Sequence, residues 1–117
     1  MEVLALSWMG VRVTDLTAAR SFMQRLGLKH EHTEGEMSVY TAKNGDTVEL
    51  FGPGDADHRH FDTGPVVGFQ VDHIEAARKE LETGGVEFIG GVERGGGMTW
   101  AHFRGPEGFV FELTARE

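Results

Sequence analysis

A chain of 117 residues is the size of one domain. With 39% hydrophobic and 26% charged residues it is globular in composition rather than disordered. It has no cysteine, which excludes a disulfide framework, thiol catalysis and thiolate metal sites and fits a cytoplasmic location. A net charge of −8 is the wrong sign for nucleic-acid binding, which needs clustered Lys and Arg. The apolar run Val3–Val11 is too short to span a membrane, and no basic segment precedes it, so neither a membrane segment nor a signal peptide is expected.

In chain order, Leu6–Val13 alternates as a strand, with Met9, Val11 and Val13 on one face and Trp8, Gly10 and Arg12 on the other. Asp15 or Thr17 can cap a following helix, near 17–26, because their side-chain oxygens accept the free amide hydrogens of its first turn. Ala18, Ala19, Phe22, Met23 and Leu26 are its expected buried stripe, and Gly27 its stop. Strands follow near 28–34, 37–43 and 46–51, divided by Glu34-Gly35-Glu36 and by the hairpin signal Asn44-Gly45. The loop 53–64 separates two halves, and its His58, Arg59 and His60 read as a solvated segment, with a lid over the site as the alternative. Val66–Val71 is again a strand and Ile74–Thr83 a helix burying Ile74, Ala77 and Leu81. Strands near 86–92, 98–104 and 109–114 complete the chain. In the last, Phe109, Phe111 and Leu113 are expected to face a core, opposite Val110 and Glu112.

The order repeats. Val13 matches Val71, Leu16 matches Ile74 and Gly27 matches Gly85, each pair 58 apart (71 − 13, 74 − 16, 85 − 27). Gly45–Leu50 matches Gly108–Leu113 with a spacing of 63 (108 − 45), so the second half has gained five residues in its hairpins. The expectation is one domain, 1–117, of two strand-helix-strand-strand-strand units at 1–52 and 65–117 joined by 53–64. One face of each sheet is covered by its own helix. The other faces collect chemistry: Trp8, Arg12, Tyr40, Glu49 and Phe51 in the first half, Gln70, Trp100, His102, Arg104 and Glu112 in the second. An ordinary reading stands beside each. Tyr40, Phe51 and the tryptophans can be core, His102 a structural histidine, and Glu49 and Glu112 carboxylates paired with Arg12 and Arg104. The glycines at 90–91 and 95–97 read as hairpin turns, since neither a Lys-Ser or Lys-Thr pair nor a helix follows them as in a phosphate loop.

The segments Val13–Leu28 and Gly105–Leu113, in this repeated order, resemble the vicinal oxygen chelate superfamily, which includes glyoxalase I, methylmalonyl-CoA epimerase, extradiol dioxygenases and the fosfomycin and bleomycin resistance proteins. The resemblance implies an α+β fold with two βαβββ units forming a cupped, eight-stranded mixed sheet that holds a ligand, and a homodimer. Metal-dependent members bind a divalent ion with one side chain on the first and one on the last strand of each unit. Those positions fall on Trp8, Glu49, Val66 and Glu112. An indole nitrogen is a donor only and valine has no lone pair, so no cofactor is expected. A divalent metal held by the two carboxylates and water is the alternative. Two functions follow. One is a binding protein holding a flat or cationic small molecule against the aromatic and carboxylate side chains. The other is a lyase, isomerase or dioxygenase using Glu49, Glu112 and His102 with a metal or as acid and base.

Overall fold

The computed structural model describes residues 1–117. In chain order it has β1 (Ala5–Arg12), α1 (Leu16–Arg25), β2 (Lys29–Glu34), β3 (Met37–Thr41) and β4 (Thr47–Phe51). These are followed by β5 (Val66–Gln70), α2 (Ile74–Thr83), β6 (Glu87–Gly95), β7 (Met98–Arg104) and β8 (Val110–Arg116). Eight strands in mixed pairing with two helices give the expected α+β class. No helix is long and apolar enough to cross a membrane. The chain divides into two compact units, residues 7–65 and residues 1–6 with 66–117.

In the first unit β1 pairs in parallel with β4, β4 antiparallel with β3, and β3 antiparallel with β2. Met23 of α1, Tyr40 and Leu50 form its core, with Met9, Val11, Leu16, Ala19 and Val48 packed around them. Asp15 caps α1, its Oδ1 accepting from the Ala18 amide at 3.0 Å. Arg20 leaves the helix to donate from Nε to the buried Ser38 Oγ at 2.8 Å, so β3 meets α1 through a hydrogen bond as well as through Tyr40.

The α1 stripe is narrower than its sequence pattern predicts. Leu16, Ala19 and Met23 face the sheet, whereas Phe22 and Leu26 are 56% and 60% exposed and Ala18 is exposed too. At 100° per residue, positions 18, 22 and 26 form a second stripe to one side of the first. The sheet covers the first stripe and leaves the second exposed.

The second unit repeats the plan. β5 pairs in parallel with β8, β8 antiparallel with β7, and β7 antiparallel with β6. Val71, Ile74, Ala77, Ala101, Phe103, Leu113 and Ala115 are its core. Within this unit the N-terminal segment is tied down by the Leu4 amide donating to the Gln70 carbonyl at 2.8 Å.

The register carries the repeat to the residue. Gly10 lies opposite Glu49 in the first parallel pair and Gly68 opposite Glu112 in the second. The offset is 58 on one strand and 63 on the other (68 − 10, 112 − 49). Since β2 and β6 still start 58 apart (87 − 29), the five extra residues fall in the β6–β7 hairpin. That hairpin also shifts register between Ile89 and Glu93.

One edge differs from expectation. Phe109 is 47% exposed and precedes β8. Pro106–Gly108 forms a 3₁₀ turn in which Glu107 and Gly108 both have positive φ, 62° and 79°. The turn delivers the chain to β8 one residue late, so the inward alternation begins at Phe111 and continues through Leu113 and Ala115.

Candidate functional site

Strand alternation puts the polar and aromatic residues of each unit on the sheet face away from its helix. In the first unit Met9, Val11, Val48 and Leu50 turn to α1, which leaves Trp8, Gly10 and Arg12 on β1 and Glu49 and Phe51 on β4 for the opposite face. Trp8 donates from Nε1 to Glu49 Oε1 at 3.1 Å. Its indole lies over Gly10: a Cβ built there would overlap Trp8 Cη2 and Cζ2. Gly10 is thus covered by the tryptophan two residues earlier.

Arg12 Nη2 donates to the Pro53 carbonyl at 3.1 Å, and Nη1 stands 3.9 Å from Asp55 Oδ2. Asp55 also accepts from the His58 amide at 2.9 Å and contacts His58 Nδ1 at 3.0 Å. The His58 ring stacks on Phe51, with centroids 3.8 Å apart and planes at 19°. Phe61, buried at 3%, meets Phe51 and Trp8 edge-on. The loop 53–64 therefore rests on this face through Asp55, His58 and Phe61, held by Arg12 and Phe51, while Arg59 is exposed as expected. Tyr40 is elsewhere. It is 1% exposed in the core beneath α1, because Ser38 and Tyr40 share the helix-facing side of β3.

In the second unit Ala101 and Phe103 turn to α2, and Trp100, His102 and Arg104 take the opposite face with Glu112 of β8. His102 and Glu112 are register partners, each 5% exposed, with Nε2 and Oε2 2.8 Å apart. One proton lies between them. Either Nε2–H donates to an ionised carboxylate, or a protonated carboxyl donates to Nε2. Burial pushes the His102 imidazole down from 6.5 to about 4, against a smaller opposing pull from the Glu93 charge. Its ring is therefore neutral at pH 7. Trp100 donates from Nε1 to Glu93 Oε2 at 2.6 Å, and its ring edge comes within 3.1 Å of a Cβ built on Gly95. Arg104 donates to the Gly108 carbonyl at 2.9 Å. Gln70 ends β5 opposite Thr114.

The carboxylates thus have partners that the sequence did not name. Glu49 has an indole N–H and Glu112 an imidazole, while Arg12 reaches Asp55 and Pro53. Glu93, Asp55 and Phe61 are the residues that sequence reasoning missed, and His58 is one that it read as solvated. Asp55-x-x-His58 carried a signal, since an Asp three residues before a backbone amide is a common local acceptor. Glu93 carried none, because the register shift in β6 decides that it faces Trp100.

The four positions that the resemblance marks for a divalent metal do not supply a four-ligand set. In the first unit Trp8 is an N–H donor already spent on Glu49. In the second, Val66 is fully buried and has no donor atom. Each unit contributes one carboxylate, which is too few for a transition-metal centre built from protein side chains.

Comparison with known proteins agrees with this architecture. The family model for the glyoxalase/bleomycin resistance protein/dioxygenase superfamily matches residues 5–113. No curated protein matches the chain. Among solved structures it is similar to methylmalonyl-CoA epimerase from Mycobacterium tuberculosis, with a TM-score of 0.74, 20% identity, and 98% of this chain and 89% of that one covered. A superfamily member from Vibrio splendidus aligns with a TM-score of 0.68 and 18% identity over 92% and 95% of the two chains. The Mn(II)-bound glyoxalase from Novosphingobium aromaticivorans gives a TM-score of 0.76 and 19% identity, with 97% of this chain and 39% of that longer one covered. At these identities the structural likeness carries the fold alone. With the family model spanning nearly all of the sequence, the chain belongs to the glyoxalase/bleomycin resistance protein/dioxygenase superfamily.

Proposed function

We propose that this protein binds a small organic molecule with a flat portion, cationic or neutral, against the sheet faces turned away from its helices. The observation that carries the reading is the pair of tryptophan–carboxylate contacts, Trp8 to Glu49 and Trp100 to Glu93, one on that face of each unit. An aromatic face beside a carboxylate suits a planar or cationic group, since the ring offers stacking and cation–π attraction and the carboxylate accepts its hydrogens. The net charge of −8 favours approach of a cation. Screening flat cations and aromatic metabolites by tryptophan fluorescence tests it. A true ligand quenches emission, and Trp100→Ala weakens its binding by about tenfold, or about 1.4 kcal/mol. Equal binding by folded Trp8→Ala and Trp100→Ala variants overturns the assignment.

A second reading rests on the buried His102–Glu112 pair, an imidazole and a carboxyl group 2.8 Å apart that can share a proton. In that case the chain is a superfamily enzyme that moves a proton on its substrate. Solved relatives include an epimerase crystallised with 2-nitronate-propionyl-CoA, so acyl-CoA esters and 2-oxoaldehyde–thiol adducts are the first substrates to try. Turnover abolished by Glu112→Gln and by His102→Gln would establish it; absence of turnover across these classes leaves the binding reading. The protein is further expected to be a cytoplasmic homodimer, with exposed Val3, Leu4 and Leu6 supporting self-association. A monomer mass by light scattering at micromolar concentration removes that part.

A further inference from the structure

We infer that Trp8 is the resident occupant of a flat subsite floored by Gly10, and that this subsite takes a planar heteroaromatic molecule bearing an N–H donor. The inference rests on the binding reading above and names the ligand class of one of its faces.

Three observations converge. First, the Trp8 ring lies directly on the Gly10 backbone, in space that any side chain at position 10 would fill. Gly10 is an ordinary extended residue in β1, without positive φ, so its lack of a side chain serves the approach of a ring rather than a turn. Second, the floor has an acceptor beside it. Glu49 is the register partner of Gly10, and its Oε1 takes the indole N–H at 3.1 Å. A planar surface flanked by a carboxylate is matched by a flat ring with an N–H at its edge, and the indole shows that such a ring fits. Third, the ring is only partly covered. Trp8 is only half-buried and lies on the opposite face from the Met23–Tyr40–Leu50 core. Besides Gly10 and Glu49 its ring meets Phe61 edge-on, with centroids 6.1 Å apart. In this inference the ring leaves by a change of side-chain rotamer, with the strand unmoved. Ligand and Trp8 then compete for the same floor and the same carboxylate, and the tryptophan returns when the ligand leaves.

The test removes the resident and supplies its chemistry in solution. Trp8→Gly protein is titrated with indole and with benzothiophene, which has a similar shape but no N–H. Indole should bind this variant at least tenfold more tightly than it binds wild type and raise its Tm. Benzothiophene should bind it about tenfold more weakly than indole, and adding Glu49→Leu should bring the two probes level. Indole binding no better to Trp8→Gly than to wild type, or as weak as benzothiophene, overturns the inference. A second variant needs no cavity. In a Trp100→Phe background, Gly10→Ala should push the Trp8 ring off its seat, shifting its emission to the red and opening it to acrylamide quenching. Unchanged emission would again overturn the inference. If a screened ligand quenches Trp100 in wild type while indole ignores Trp8→Gly, the binding reading stands and this subsite falls. If no ligand quenches wild type, the binding reading falls and this subsite falls with it, even where indole fills the hole in Trp8→Gly.

Discussion

At the scale of single residues, His102 shows how position overrides residue type. An exposed histidine is half-charged near pH 6.5. Here burial holds the ring neutral down to about pH 4, with Glu112 at 2.8 Å. The unfolded chain therefore binds a proton that the folded chain refuses between pH 6.5 and 4, and stability rises with pH across that window. The contribution is fully present above pH 6.5 and is lost as pH falls from 6.5 towards 4. Its ceiling is roughly 3 kcal/mol, because each tenfold loss of proton affinity is worth about 1.4 kcal/mol. Urea unfolding at pH 7.5 and pH 5 should show the wild type losing more stability on acidification than His102→Gln. A parallel fall in both proteins would place the neutral state elsewhere.

At the scale of elements, the two helices are matched in length and start 58 residues apart but differ at their first turns. Asp15 caps α1 through its side chain, whereas His73, at the equivalent place on α2, makes no side-chain cap bond. Its extended backbone, φ −128° and ψ 103°, already suits a capping residue. Asp15→Ala should then cost about 1 kcal/mol, and His73→Ser should add about 0.5–1 kcal/mol by satisfying a free amide of the first turn. Chemical denaturation of the two single variants checks both signs. A destabilising His73→Ser would mean that the imidazole holds some other contact worth more than a cap.

At the scale of the whole chain, the four family metal positions hold two carboxylates, an indole and an isopropyl group. The indole consumes acceptor capacity on Glu49 rather than adding a ligand. Elemental analysis of protein purified without chelator should find zinc, nickel, iron and manganese well below one ion per chain. Melting temperature should not change on adding EDTA. A stoichiometric ion, lost together with function on changing Glu49 and Glu112 to Gln, would overturn this.

The sequence by itself determined the element order, the two-fold repeat and the class of fold. These follow from local periodicity and turn chemistry: alternation marks the strands, the capped helical stripes mark α1 and α2, and Gly27, Asn44-Gly45 and Gly85 mark the turns. On β1, β4, β7 and β8 it also sorted the side chains of the face away from each helix, since alternation separates Trp8 from Met9 and His102 from Ala101, but on β3 it put Tyr40 on the wrong face. Only the tertiary structure decided what those side chains meet. Alternation is blind to the lateral neighbour, which depends on strand register and on the path of the loops. Register paired His102 with Glu112, and a shift within β6 brought Glu93 to Trp100. The fold of the 53–64 loop stacked His58 on Phe51 and brought Asp55 to Arg12. Tyr40 went to the core because β3 turns it towards α1, and Phe109 to the surface because the turn at Pro106–Gly108 leaves it outside β8. The face that a residue takes is fixed by where its strand begins and which neighbour its helix covers, and neither is written in the residue itself.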